Sequence, residues 1–102
     1  MMDGLITGRL TGIPESRVDR NRRPYMVARM RANAGDGSSI PVNIVAFDAA
    51  PCAVLRSLTE GDAIALRGSI TPKVWIDRQE EAHAVLDLVA QQVLAAPNLS
   101  DL

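Results

Sequence analysis

This sequence is poor in the residues that most chemistry needs. Aromatic rings make up 3% of it, namely Tyr25, Phe47 and Trp75, so the core must be aliphatic and any surface that stacks flat ligands has at most three rings. There is one histidine, His83, and one cysteine, Cys52. They cannot supply a spaced metal-ligand cluster or an oriented Cys–His nucleophile beyond a single pair, and an intramolecular disulfide is excluded. Excess charge is missing too. Lys+Arg number 11 against 12 Asp+Glu, a net charge of -1, so attraction to a polyanion must come from a local cluster. Long hydrophobic runs are also absent: the uncharged stretches, such as 37 to 47, are too short and too polar to span a bilayer. No charged-then-apolar-then-small leader opens the chain, and with one cysteine a reducing cytoplasm is the expected compartment.

What is present fits one small domain. A chain of 102 residues with 47% hydrophobic composition buries about 65% of its unfolded surface, which leaves little room for a deep enclosed active site and argues against an enzyme. Residues 5 to 13, Leu-Ile-Thr-Gly-Arg-Leu-Thr-Gly-Ile, read as a first strand that bends or admits a close backbone. Gly4, Gly8 and Gly12 are spaced by four but lack the Lys-Ser/Thr of a phosphate-cradling loop, so they read as strand glycines. Pro14 to Pro24 is polar and aperiodic and reads as an exposed loop. A second strand, Tyr25 to Ala32, puts Tyr25, Val27, Arg29 and Arg31 on one face and Met26, Ala28, Met30 and Ala32 on the other.

The turn cluster Ala34 to Ser38 predicts a hairpin to a third strand, Ile40 to Phe47. There Ile40, Val42, Ile44 and Ala46 form the cleaner core face, opposite Pro41, Asn43, Val45 and Phe47, and Pro41 should face a ladder gap or an edge. Ala49 to Leu58 reads as a short helix with Pro51 in its first turn, ended by Thr59-Glu60-Gly61-Asp62. A fourth strand runs from Ala63 to Ile70, and Thr71 to Ala82 carries Trp75 and a polar tip that suits a protruding hairpin. The segment His83 to Ala96 satisfies both strand alternation and helical spacing, its Ala, Leu and Gln content favours helix, and pattern alone leaves it open. Residues 1–96 would form the domain and 97–102 a flexible terminus. The element order matches an all-β, five-stranded Greek-key barrel, the OB-fold, with one short helix between strands three and four.

Several stretches in that order resemble the bacterial single-stranded DNA-binding protein family in its short form, and more distantly primosomal replication protein n. They are Gly4 to Leu10, Pro24 to Arg31, Pro41 to Asp48, Leu55 to Asp62, Leu66 to Asp77 and Leu86 to Ala90, spanning residues 4 to 94. The resemblance implies a homodimer or homotetramer of OB-folds that binds single-stranded DNA without sequence preference, and it makes the last ambiguous segment a strand to about Val93. Phe47 and Trp75 stand where the family places base-stacking aromatics, whereas Pro41 stands where longer members commonly have a tryptophan. Glu80-Glu81 replaces a turn in which relatives often have glycine. The family's acidic recruiting tail has no counterpart before Leu102, so tail-mediated protein recruitment is not expected.

Single-strand binders combine stacking rings with a positive groove that tracks phosphates. From position 17 to 31 six arginines (Arg17, Arg20, Arg22, Arg23, Arg29, Arg31) oppose one acid, Asp19, a local net of +5. Such a run usually just solvates a surface. Beside Tyr25 and Phe47, and with the resemblance, it is the expected phosphate-binding segment, with Lys73 assisting next to Trp75. Asp77, Glu80 and Glu81 read as a solvated tip rather than a cation site. No cofactor, metal or membrane partner is expected, since the basic segment lacks a helical apolar stripe. Two further readings use the same face. One is binding of single-stranded RNA through the same stacking and phosphate contacts; the other is a protein-interaction module whose face serves a protein partner with little affinity for nucleic acid.

Overall fold

Apolar residues at every second position along 26–32 and 40–46 need a common interior, and the folded chain provides one. The computed structural model describes residues 2–95; the expected flexible terminus at 97–102 lies outside the described residues. In chain order the elements are β1 (Met2–Leu10), β2 (Glu15–Val18), β3 (Pro24–Asn33), β4 (Ser39–Ala46), α1 (Ala49–Arg56), β5 (Ala63–Ile76) and β6 (Ala82–Ala95). The strands lie in the order β1-β5-β6-β4-β3-β2, and an additional β1–β3 pairing joins the ends. Five strands therefore close into a barrel, with β2 outside the ring.

The closure depends on β3 sharing one edge between two partners. Its C-terminal half pairs with β1 (Ala32 with Gly8, Met30 with Leu10), while its N-terminal half pairs with β2 (Val27 with Glu15, Pro24 with Val18). Only a glycine fits where β1 meets β3, because a Cβ at Gly8 would run into the Arg31 carbonyl. The same holds at Gly68, where the β5–β6 ladder shifts register and a Cβ would run into the Val89 carbonyl. The interior is aliphatic. Met26, Met30, Val42, Ile44, Leu66 and Leu88 are all but fully buried, and Cys52 and Leu55 of α1 pack onto the same cluster. Tyr25, Phe47 and Trp75 stay out of it.

The helix forms where the sequence places it, but the strand count does not match. Glu15–Val18, inside the stretch expected to be loop, is a strand, so the helix lies between the fourth and fifth strands rather than the third and fourth. All four of its residues are exposed; it is held by backbone pairing at an edge, which leaves no apolar periodicity to read. β5 continues six residues past its expected end at Ile70 and pairs with β6 out to Ile76 and Ala82, making an arm that projects beyond the barrel. The ambiguous last segment is strand, as the resemblance implies. Pro41 sits where β4 has not yet met β6, whose pairing begins at Val42, so its missing N–H costs that ladder nothing. Among the described residues no helix is long and apolar enough to cross a membrane.

Candidate functional site

Strand parity puts the chemistry on one outward face. β3 and β4 pair Val27 with Val45, Arg29 with Asn43 and Arg31 with Pro41. The parallel strand β6 sets Asp87 beside Asn43 and Val89 beside Val45. This three-stranded floor lies in a groove of about 870 Å³, walled by Thr11 to Arg17 on one side and by Thr71 and Lys73 of the arm on the other. Arg17, Arg29 and Lys73 line it, together with two carboxylates, Glu15 and Asp87, whereas Arg20, Arg22, Arg23 and Arg31 do not.

Those carboxylates occupy two of the three cations. Arg17 pairs with Glu15 at 3.2 Å and Lys73 with Asp87 at 2.5 Å, while Asn43 donates to the second oxygen of Asp87 at 3.2 Å. The Lys73 ammonium, with Asn43 behind it, holds the Asp87 carboxyl below the usual range, so it is charged at neutral pH. Arg29 has no carboxylate partner among the described residues. Arg31 lies farther along the same face and donates to the Ser39 hydroxyl at 3.0 Å.

None of the three rings lines the groove; by strand position they flank its two ends, Phe47 two residues beyond Val45 and Trp75 two beyond Lys73. Tyr25 and Phe47 pair at one end, centroids 5.7 Å apart and tilted by 37°, with Phe47 58% exposed. Beside them is the β2–β3 turn that carries Arg20, Arg22 and Arg23. Its single acid, Asp19, is spent on the backbone: one carboxylate oxygen accepts the N–H of Asn21 at 2.8 Å and of Arg23 at 2.9 Å. The turn holds Arg22 in the left-handed region, φ 61°, and all three arginines are left exposed. Trp75, 53% exposed, is on the arm at the other end. Counting four residues from Asn43 to Phe47 and four from Asp87 to His83, which faces Trp75, at about 3.3 Å each, the platforms are on the order of 25 Å apart.

The arm tip repeats the turn of the basic loop. Asp77 accepts the N–H of Gln79 and of Glu81 through Oδ1, both at 2.9 Å, and Glu80 takes φ 62° where a glycine is usual. The other oxygen, Oδ2, is 2.7 Å from His83 Nε2. This hydrogen bond, with the Glu81 N–H next, holds the Asp77 carboxyl below its ordinary range. Asp77, Glu81 and His83 bring ligand atoms within 4.8 Å of one another, but both Asp77 oxygens already have hydrogen-bond partners.

No protein-family model matches the sequence, and no curated protein matches it. The structure does find neighbours. A crystal structure of a small single-stranded DNA-binding protein from Streptomyces coelicolor superposes with a TM-score of 0.74 at 16% identity, covering 98% of this chain and 96% of that one. Crystal structures of mitochondrial single-stranded DNA-binding proteins from S. cerevisiae superpose with a TM-score of 0.68 at 15 to 16% identity, covering 92% of this chain and 93% of theirs. The chain has an OB-fold. In that fold oligonucleotides usually bind on the face of barrel strands two and three, here β3 and β4, between the loops that follow strands one and four, here the β1–β3 segment and the β5–β6 arm, and the groove described above lies on that face.

Sequence reasoning missed four polar members of the site, among them Glu15, whose edge strand has no buried side chain to reveal it. Asn43 is readable from parity alone, as a partner of Phe47's face. Asp87 enters the groove only through the parallel β4–β6 register, and His83 meets Trp75 only through the antiparallel arm. The β4–β6 pairing is non-local, so no spacing signals it; the arm is a local hairpin, but its register, which composition does not give, sets His83 across from Trp75.

Proposed function

We propose that this chain binds and protects single-stranded DNA without sequence preference, as a non-enzymatic protein of replication, recombination or repair acting at the nucleoid in the cytoplasm. The observation that carries this reading is the groove itself: an OB-fold's oligonucleotide surface, lined by Arg17, Arg29 and Lys73, with stacking rings at both ends and the Arg20–Arg23 turn beside one of them. Phe47, Trp75 and Tyr25 stack bases, and the arginines with Lys73 neutralise phosphates. Fluorescence anisotropy of a labelled oligo-dT tests it. Saturable binding should weaken with salt, with a slope of about -0.7 per phosphate neutralised; folded protein that binds at no salt concentration refutes it. Competition with matched RNA then separates the two nucleic acids.

Assembly belongs to the same reading. On β1 the stretch Met2 to Thr7 pairs with β5 on one side, and β3 takes up its other edge only from Gly8 onward. Among the described residues that edge has no strand partner, and a bare strand edge invites a second strand, which supports a homodimer or homotetramer. Light scattering should give two or four times the 11.0 kDa protomer, and a monomer would refute it. The protein-interaction alternative draws support from Glu15 and Asp87, which leave the groove less positive than its arginines imply. Salt-insensitive capture of a defined protein by this face, without oligonucleotide binding, would favour it.

A further inference from the structure

Trp75 projects from an arm that has no core of its own. Its strand neighbours Val74 and Ile76 point to the opposite face and are exposed, so nothing in the barrel fixes the indole. Directly across the ladder stands His83, and its imidazole stacks on the indole with centroids 4.5 Å apart and planes 22° from parallel. The imidazole is itself held. An ionised carboxylate only accepts hydrogen bonds, so His83 donates Nε2–H to Asp77 Oδ2 at 2.7 Å. Asp77 is anchored in turn by the Gln79 and Glu81 N–H groups at its other oxygen. The arm thus contains one continuous tether from turn backbone to carboxylate to imidazole to indole.

We propose that His83 is a positioning residue for Trp75: it covers one face of the indole, fixes the ring's orientation, and presents the opposite face to a base of the bound strand. This rests on the single-strand-binding reading and adds to it the residue that sets the geometry of one stacking platform. A free side chain loses rotamer entropy when a ligand immobilises it; a ring already stacked has lost it on folding. His83 contacts Trp75 rather than the nucleic acid, and its contribution passes through the ring.

That dependence gives a test that a merely structural role would not pass. Trp75 is the one tryptophan of the sequence, so its emission reports on this stack alone. His83→Ala should shift the emission to the red and increase quenching by acrylamide in the free protein, as the second face of the indole becomes wet. It should weaken oligo-dT binding about threefold to tenfold, the scale of one immobilised side chain. His83→Phe, which keeps a stacked ring, should restore both. In a Trp75→Ala background, His83→Ala should have no further effect on affinity. If it weakens binding equally with and without Trp75, or if its emission is that of the wild type, the positioning role is overturned. Wild-type protein that binds no oligo-dT refutes the functional reading itself, a result distinct from a wild type that binds and a His83→Ala variant that binds equally well.

Discussion

Asp87 is a carboxylate in the floor of a groove proposed to hold a polyanion, and its replacement by asparagine should improve binding. It engages Lys73 at 2.5 Å, with side-chain exposures of 33% for Asp87 and 63% for Lys73, and it accepts from Asn43 at 3.2 Å. An ion pair this exposed is worth about 0 to 1 kcal/mol. Asp87→Asn keeps an oxygen for the Asn43 amide, so the cost to stability should be no larger than that. For binding the change is larger in kind, since one carboxylate leaves the groove and the Lys73 ammonium is free for a phosphate. One more neutralised phosphate steepens the plot of log affinity against log salt by about 0.7. At low salt, a newly formed exposed pair of this kind corresponds to roughly two- to fivefold tighter binding. The assay is anisotropy of labelled oligo-dT over a salt series, on wild type and variant in parallel, with thermal melts as the control for folding. An unchanged slope and affinity would refute the electrostatic argument. Weaker binding by a fully folded variant would also refute it, and would mean that Asp87 accepts hydrogen bonds from base edges instead.

Three other outcomes follow from the same geometry. Phe47→Ala should cost about 1 to 3 kcal/mol of oligonucleotide affinity, one stacked base, with little change in melting temperature because the ring is 58% exposed; equal affinity would remove Phe47 from the site. Gly68→Ala forces a methyl against the Val89 carbonyl at the β5–β6 bulge, and a melting-temperature drop of roughly 10 °C or more is expected. Gly35→Ala meets nothing within 4 Å and should change little; equal melts for the two variants would contradict the β5–β6 register. The Asp77 and Asp87 carboxyls are held below their ordinary range by His83 and Lys73 respectively. The unfolded chain therefore takes up protons first as pH falls, so the stability they contribute is fully present above about pH 4 and is lost below it. Melting temperature against pH should show that decline, shallower in Asp77→Asn, and a rise on acidification would contradict the sign.

Much of the fold was legible because burial on a strand has period two. The alternation in Met26 to Ala32 and Ile40 to Ala46 identified the core face, and by exclusion it put Tyr25, Arg29, Arg31 and Phe47 on the outside together, as the pairing of β3 with β4 shows. The edge strand Glu15–Val18 escaped the same argument because none of its side chains is buried. Its pairing uses backbone groups, which every sequence supplies. The β5–β6 arm was visible as a hairpin but not in its length, since Lys73 to Ile76 leave the barrel and most of their side chains face solvent on both sides.

By itself, then, the sequence determined which residues avoid water and which charges cluster, because hydrophobic period and local composition are properties of neighbours along the chain. Tertiary structure alone decided which distant residues meet. The parallel β4–β6 pairing sets Asp87 beside Asn43, 44 residues away, and the β5–β6 ladder puts it opposite Thr71 and within ion-pair reach of Lys73; the register of the arm lays His83 on Trp75. These contacts turn a run of arginines and three scattered rings into a groove with partly neutralised walls and an oriented platform. They depend on register and barrel closure, which many sequences of the same pattern share.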